Sequence, residues 1–179
     1  MMQNIPRQIF RFSTSTAIAV FGFAISFFPL PALAEQDCLW RTIADPVRQV
    51  ITCGSGLTVE REATTEITLF ERAGDAPPSV IEIENGAILI EVQPGSVPTR
   101  IRTPHAIAAV RGTTYVVDAR GDSTSVFVLE GRVNVRQTDG TTDVTLEARE
   151  GIDVFPDVPL ETTLWPEEKA SKLLERFGR

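Results

Sequence analysis

Short segments of β-forming residues recur along most of the chain, and this recurrence constrains the fold more than any other feature. Between residues 57 and 155, runs rich in Val, Ile, Thr and Leu return every 8–12 residues and are separated by Gly, Pro, Asp or Asn. Regular short strands with turn signals are typical of a sandwich, a barrel or a β-solenoid rather than an α/β fold. The sequence therefore predicts an all-β domain over residues 57–155, built of stacked short strands that are β-helix-like, β-solenoid-like or a sandwich.

Local patterns within this region predict how its strands are exposed. Val126, Phe127, Val128 and Leu129 are apolar on both faces of a strand, which predicts a position deep in the sheet system. Residues 99–102 alternate between polar and apolar, as an edge or half-exposed strand should. Asn85-Gly86 predicts a tight turn, and residues 74–78 predict an exposed loop.

The N-terminus carries the three parts of a secretory signal in order. Arg7 and Arg11 form a short positive region, and residues 17–28 form an apolar run of 12 residues. Helix-breaking Pro29 and Pro31 follow, and Ala32 and Ala34 then supply the small residues that suit signal peptidase. The apolar run is shorter than the roughly 20 residues of a membrane-spanning helix. The sequence therefore predicts a signal peptide over residues 1–34, cleavage between Ala34 and Glu35, and a periplasmic or secreted bacterial protein. Membrane association is expected only if the signal is uncleaved.

Residues 35–56 form a separate opening module that holds both cysteines of the chain. Two short extended runs joined at Asp45-Pro46 fit this segment. In an exported protein, two cysteines without a third competitor most economically form a disulfide, here between Cys38 and Cys53. Closing a loop of about 15 residues would stabilise the fold by roughly 3 kcal/mol in the chain-entropy model. Zinc is the poorer alternative, because two cysteines and one histidine fall short of four ligands.

The tail, residues 156–179, changes character from strand to helix. Pro166 and the two acidic residues after it suit the first turn of a helix, where the helix dipole favours negative charge. Gly178 is a suitable stop. One face is apolar and consists of Ala170, Leu173, Leu174 and Phe177. The pattern predicts a short amphipathic helix packed on the β-domain, with docking onto a partner as the alternative.

Charge and motifs exclude several classes of function. The chain has a formal net charge of −7, and removal of Arg7 and Arg11 leaves 15 basic and 24 acidic residues, a charge of −9. This acidity argues against binding to nucleic acid and to anionic membrane surfaces. Phosphate loops, dinucleotide fingerprints, serine elbows and metalloprotease helices are absent from the sequence. We therefore expect a non-enzymatic protein with no catalytic residue, no metal and no cofactor.

One stretch is more specific than the rest. It reads TPHAIAAVRGTTYVV over residues 103–117 and continues as SVFVLEGRVNV over residues 125–135. The combination of TP…AVRGT-x-aromatic-x-V with the VLEG run resembles the FecR domain, a family named after a periplasmic iron-citrate signalling regulator. The segments GAILI at 86–90 and LEAREG at 146–151 sit where that domain has a further strand and its closing segment. The resemblance covers about residues 85–155.

The resemblance implies an all-β domain outside the cytoplasmic membrane, described in relatives as a right-handed β-helix-like stack. It implies binding or signalling rather than catalysis. In the name-giving regulators, a cytoplasmic helical region controls a sigma factor, and a transmembrane helix links it to the periplasmic domain. Only 16 residues precede the apolar run here, too few for a sigma-binding region. We therefore do not carry the sigma-regulating activity over.

The residue types of this motif predict structural or binding roles. Pro104 fixes its own φ and holds the preceding residue extended. Glycines permit a sharp break between strands. Arg111 is expected either to satisfy buried carbonyls or a carboxylate with its five donors, or to contact a ligand directly. The residues of the motif are Thr103, Pro104, Arg111, Gly112, Thr113, Tyr115 and Gly131.

Other signals have simpler interpretations. His105 is the only histidine, and we interpret it as structural, because the sequence places no catalytic partner beside it. The tripeptide Arg120-Gly121-Asp122 is interpreted as an ordinary turn rather than an adhesion motif. Four turn aspartates would bind calcium only if clustered, and they lack the spacing of known calcium loops; they are Asp118, Asp122, Asp139 and Asp143.

Three hypotheses for function follow. The first is an exported module that binds an envelope protein or senses a small ligand. The second is a structural envelope protein that binds cell-wall glycan or scaffolds other exported proteins. The third is a signalling regulator anchored by an uncleaved N-terminal helix.

Overall fold

The structure is a computed structural model that describes residues 38–54, 56–70, 78–96, 98–140 and 142–179. The predicted signal peptide and its cleavage site after Ala34 lie outside the described residues, as does most of the predicted loop at 74–78. The described part of the chain holds 14 strands, one α-helix and one 3₁₀ turn. None of its helices is long and apolar enough to cross a membrane.

The strands follow the recurrence seen in the sequence. In chain order they are β1 (Cys38–Ala44), β2 (Val47–Cys53), β3 (Leu57–Glu62), β4 (Ile67–Phe70), β5 (Val80–Ile83), β6 (Gly86–Val92), β7 (Thr99–Arg102), β8 (Ala106–Val110), β9 (Thr114–Ala119), β10 (Thr124–Glu130), β11 (Arg132–Gln137), β12 (Asp143–Glu147), β13 (Glu150–Val154) and β14 (Thr163–Leu164). The short strand β14 had no signal in the sequence.

The strands form two sheets that face each other as a sandwich. The eight-stranded sheet has the order β1-β2-β3-β6-β9-β10-β13-β14, and the six-stranded sheet has the order β12-β11-β8-β7-β5-β4. Every neighbouring pair is antiparallel except β5 and β7. The all-β prediction is confirmed. The β-helix-like stack is wrong for the described residues, because a solenoid stacks parallel coils, whereas these strands pair as antiparallel ladders in two open sheets.

The main core lies between the two sheets, and strand alternation explains its composition. Since side chains of a strand point to opposite faces in turn, every second residue is buried. The eight-stranded sheet contributes residues such as Ile88, Ile90, Tyr115, Val117, Val126 and Val128. The six-stranded sheet contributes residues such as Ile81, Ile101, Val133, Val135 and Leu146. All of these side chains are at most 1% exposed.

A second, smaller core lies on the outer face of the eight-stranded sheet. There Ala87, Leu89, Val116 and Phe127 are buried beneath the C-terminal segment, which contributes Trp165, Leu173 and Phe177. This second core explains why the central strands are apolar on both faces. The prediction that residues 126–129 lie deep in the sheet system is confirmed for Val126, Phe127 and Val128, whereas Leu129 is half-buried.

The C-terminal segment is the amphipathic helix that the sequence predicted. Helix α1 (Glu167–Leu174) begins after Pro166 and continues as a 3₁₀ turn (Glu175–Phe177). Gly178 ends it in the left-handed conformation, with φ of 70°. The prediction that this helix packs on the β-domain is confirmed, and the structure adds which sheet it covers.

The opening module is a hairpin closed by a disulfide, as predicted. Strands β1 and β2 are antiparallel with a turn at Asp45-Pro46, and their register places Cys38 opposite Cys53. The two sulfur atoms are bonded. Because β2 also pairs with β3, the module is an extension of the eight-stranded sheet.

The tertiary structure refines the predictions for the turn at Asn85-Gly86 and for strand β7. Residues 84–85 do form a sharp turn, and Gly86 has φ of 100°, yet the turn passes from one sheet to the other and makes no hairpin. Strand β7 is half-exposed, as its alternation indicated, but it is not an edge strand. It lies between β5 and β8.

Candidate interaction surface

The outer face of the six-stranded sheet is not covered by any helix of the described chain, because α1 lies on the other sheet. On strand β7, Arg100 and Arg102 point outward while Thr99 and Ile101 are buried. On β11, Val133 and Val135 are buried, so that the alternating residues Arg132, Asn134 and Arg136 point outward. Strand alternation alone therefore places several arginines on this face.

The strand register places these arginines in rows across the sheet, with β8 between those of β7 and those of β11. One row across the sheet runs Asp143, Arg136, Ile107, Arg102 and Glu82. A second row runs Thr145, Asn134, Ala109 and Arg100. In a third, Arg132 is opposite Glu147, and Arg111 follows the end of β8. We call Arg100, Arg102, Arg111, Arg132 and Arg136 the arginine face.

Only two of these arginines form ion pairs within the described residues. Arg102 Nη1 lies 3.5 Å from Glu82 Oε1, and Arg132 Nη1 lies 3.9 Å from Glu147 Oε1. Both pairs are on the surface, where such pairs contribute little to stability, about 0–1 kcal/mol. Arg100, Arg111 and Arg136 have no side-chain hydrogen bond or ion pair to any residue that the structure describes. Within the described ranges, three guanidinium groups of this face therefore have no carboxylate partner.

The centre of this surface is apolar. Ile107 and Ala109 are half-buried on β8, between the arginines of β7 and β11. A shallow depression of about 350 Å³ lies over them and is lined also by Arg100, Asn134, Arg136 and the carboxylate of Asp143. A second depression of about 510 Å³ extends towards Arg111 and Arg132. An apolar centre with a charged rim is the usual composition of a protein-binding surface.

Most motif residues predicted from the sequence build turns and not this surface. Thr103 is buried; its Oγ1 accepts the Ala106 N–H at 2.8 Å and lies 2.8 Å from Thr124 Oγ1. Thr113 is buried and donates from Oγ1 to the Arg132 carbonyl at 3.0 Å. Pro104 is exposed in the turn before β8. These contacts place Thr103 and Thr113 in two different turns.

Two motif glycines meet at one of these turns. Gly112 and Gly131 have φ of 67° and 84°, a region that favours glycine. A Cβ atom on Gly131 would lie 2.8 Å from the Gly112 carbonyl oxygen. The β8–β9 and β10–β11 turns therefore approach each other too closely for a side chain at residue 131.

Tyr115 and Arg111 lie at opposite extremes of solvent exposure. Tyr115 is 0% exposed, burial raises the pKa of its phenol, and its hydroxyl has no hydrogen-bond partner among the described residues. The Arg111 side chain is exposed. Arg111 is therefore the one motif residue that joins the arginine face, and its role there stays a prediction.

The remaining sequence candidates lie apart from one another. His105 Nε2 is 3.3 Å from the Gly121 carbonyl oxygen. In the tripeptide at 120–122, Arg120 is ion-paired to Asp118 at 2.8 Å. Within the described ranges, no group of three or more His, Cys, Asp or Glu side chains is arranged to hold a metal ion.

Sequence reasoning missed the arginine face, although its signal was present. Arginines alternate at residues 100 and 102 and again at 132 and 136, with the period of a strand that exposes one face. What the sequence lacked was the strand order, which places β8 between β7 and β11.

Comparison with known proteins identifies the family. The family model described as FecR protein matches residues 42–134, more than half of the chain. The chain belongs to the FecR family. The match begins in β1 and ends in β11, so it starts earlier in the chain than the motif that carries the resemblance. The arginine face up to Arg132 lies inside it, and the C-terminal helix lies outside.

Two crystal structures of proposed anti-sigma factors from Parabacteroides distasonis have a similar fold. The structure at 2.50 Å resolution aligns with a TM-score of 0.59 and 20% sequence identity, over 77% of this chain and 65% of that one. The structure at 1.65 Å resolution aligns with a TM-score of 0.55 and 21% identity, over 78% of this chain and 61% of that one. The FecR-family chain thus spans less than two thirds of both. A comparison with curated proteins gives no match.

Proposed function

We propose that this FecR-family chain is a non-enzymatic protein-interaction module of the cell envelope, and that its arginine face binds an acidic surface of another envelope protein. The observation that carries the proposal is a set of three arginines, Arg100, Arg111 and Arg136, on a sheet face that no described helix covers. None of the three has a side-chain partner among the described residues.

The chemistry of the surface supports a protein partner. Arginine is enriched in protein interfaces, and its planar group binds carboxylates through two parallel hydrogen bonds. Ile107 and Ala109 supply apolar contact area between the arginines. A surface with both features favours a partner that pairs Asp and Glu side chains with an apolar patch.

The charge of the whole chain supports selectivity for an acidic patch rather than for any polyanion. The chain carries −7 overall, so its remaining surface repels extended polyanions such as nucleic acid and anionic membranes. A local cationic face in an acidic protein directs binding to one surface and raises the association rate.

Location in the envelope is part of the proposal. The predicted signal peptide over residues 1–34 supports export, and the Cys38–Cys53 disulfide supports an oxidising compartment, because cytosolic proteins rarely retain such bonds. N-terminal and thiol analysis of the protein from its own cells tests this directly. Glu35 at the N-terminus and no free thiol are the expected results.

The interaction is tested by affinity capture from envelope extract, followed by binding measurements with the purified partner. Arg136→Glu should weaken binding at least tenfold, equivalent to about 1.4 kcal/mol, and the wild-type affinity should fall as salt rises. The matched control is Arg41→Glu, which reverses an exposed charge on β1 in the other sheet.

Three results would argue for other functions. Equal loss of binding in Arg41→Glu and Arg136→Glu would remove the arginine face from the interaction. Recovery of peptidoglycan in place of a protein would favour a structural, wall-binding role. An intact Met1 with carbonate-resistant membrane association would favour an anchored signalling regulator.

A further inference from the structure

A cationic groove lies on the opposite side of the molecule, between the C-terminal helix and the outer face of the eight-stranded sheet. Its volume is about 370 Å³, and four of its lining residues are basic: Arg120, Lys169, Lys172 and Arg176. None of these residues belongs to the arginine face. The groove is therefore a separate feature with a positive lining in a chain whose net charge is −7.

The helix presents three of these side chains on one side. Lys169, Lys172 and Arg176 are spaced by three and four residues, so they share one stripe of the helix. Leu173 and Phe177 hold the helix in position, because both are buried in the second core. The basic stripe is thus fixed relative to the sheet.

A buried carboxylate orients the two guanidinium groups. The Asp118 side chain is 5% exposed, and its Oδ2 accepts hydrogen bonds at 2.8 Å from Arg120 Nη2 and from Arg176 Nη1. Arg176 also donates to both carboxylate oxygens of Glu62. Because these contacts hold both arginines in place, a ligand would meet donors that are already positioned.

The local charges do not cancel. Lys169 lies 2.6 Å from Asp153 and 3.7 Å above the centre of the Trp165 ring. Lys172 is exposed and has no ion pair or hydrogen bond among the residues that the structure describes. Arg120, Arg176 and Lys169 are thus paired with Asp118, Glu62 and Asp153, and Lys172 is the one lining cation without a carboxylate partner among the described residues.

We propose that this groove binds the phosphate group of a small ligand. A phosphate offers several oxygens that can accept hydrogen bonds from an arginine fork and two ammonium groups at once. Arg120 and Lys172 are the side chains that bind it, and Lys169, which also lines the groove, stays paired with Asp153. The volume is near the lower end of the range for small-molecule sites, about 300–1,000 Å³, which suits a phosphate with a small organic group.

Tryptophan fluorescence provides the test, because Trp165 lies in the groove and the chain has only one other tryptophan. Trp40 is 54% exposed on β1, so Trp40→Phe leaves Trp165 as the single reporter. In this background, inorganic phosphate is titrated at constant ionic strength against chloride. We expect Trp165 fluorescence to change saturably with phosphate and not with chloride. In Lys172→Gln, the apparent affinity for phosphate should be at least fivefold weaker.

Two further variants make the result specific. Lys172→Arg keeps the charge and should restore binding, whereas Arg41→Gln, at an exposed position of β1 outside both surfaces, should leave it unchanged. The proposal is overturned if phosphate and chloride act alike, or if Lys172→Gln and the parent titrate identically. Failure of the arginine-face interaction would leave this outcome unaffected, because the two sets of residues are separate.

Vesicles distinguish a free solute from a lipid headgroup. Phosphatidylglycerol vesicles are sedimented with the parent protein and with Lys172→Gln. Phosphate binding without co-sedimentation supports a soluble ligand, and co-sedimentation that Lys172→Gln abolishes supports a headgroup in the same groove. Co-sedimentation that is equal in both proteins, without saturable phosphate binding, contradicts the proposal.

Discussion

The C-terminal helix forms one wall of the proposed phosphate groove. Substitution of Phe177 tests whether this helix packs on the eight-stranded sheet. Phe177 is 0% exposed and lies in the second core with Leu89, Val116 and Leu173. Phe177→Ala removes a complete aromatic ring from this core. The helix face cannot close the space fully, because the rigid sheet beneath it is part of the main sandwich.

The expected magnitude follows from the burial of this ring. Truncation of a buried phenylalanine to alanine costs about 3–5 kcal/mol, since the apolar contacts are lost and a cavity remains. A domain of this size has a total stability of about 5–15 kcal/mol. With a shift of roughly 3 °C per kcal/mol, the midpoint of thermal unfolding should fall by about 10–15 °C.

Urea denaturation followed by circular dichroism measures the change, and hydrogen exchange of the helix amides shows where it acts. The matched control is Phe155→Ala, because Phe155 is 40% exposed and its loss should cost less than about 1 kcal/mol. In Phe177→Ala, we expect amide exchange relative to wild type to accelerate more across residues 167–177 than across β6 and β9.

One result would refute the reasoning. If Phe177→Ala and Phe155→Ala destabilise the protein equally, the helix is not held on the sheet in solution. The groove would then lack its helical wall, and the basic stripe of Lys169, Lys172 and Arg176 would have no fixed position.

Two further predictions concern motif residues. Gly131→Ala should lower the free energy of unfolding in urea by about 2–3 kcal/mol, because a left-handed backbone disfavours alanine by about 1–2 kcal/mol and the new Cβ would press on Gly112. The control is Gly121→Ala, whose Cβ would meet no atom within 4 Å and whose stability should stay near wild type. Equal effects of the two substitutions would contradict this account. Tyr115 is the only tyrosine, and burial raises the pKa of its phenol above the unfolded value of about 10. Its contribution to stability is therefore present below about pH 10 and lost as the pH rises further. Phenolate absorbance should appear only as the protein unfolds, and ionisation near pH 10 with an intact circular dichroism spectrum would show that the phenol is accessible.

Much of the fold was readable from local pattern. The recurrence of strands, the hairpin closed by Cys38 and Cys53, and the amphipathic face of the tail each depend on residues close in sequence. Their physical basis is local too, since alternation, turn chemistry and helix periodicity act over a few residues. The TP…AVRGT and VLEG runs identified the family for the same reason.

The choice between a sandwich and a solenoid depended on strand order, which local pattern does not encode. A strand with alternating residues can bury its apolar face equally well whether its neighbour is a parallel coil of a solenoid or an antiparallel strand. The same limit applied to the central strands. Phe127 was correctly predicted to lie deep in the sheet, but its partner across the second core, Trp165, follows 38 residues later and belongs to no motif.

The sequence by itself determined the recurring short strands, the turns, the disulfide pairing and the family of this protein, because each is set by neighbouring residues. Only the tertiary structure decided which faces those strands present. Arg100 and Arg136 line one depression over β8 because the six-stranded sheet orders its strands as β11-β8-β7. Arg120 and Lys172 line one groove because the helix packs on the eight-stranded sheet. Both candidate sites are therefore products of long-range packing, in which burial of apolar surface fixes the positions of charges that no local pattern connects.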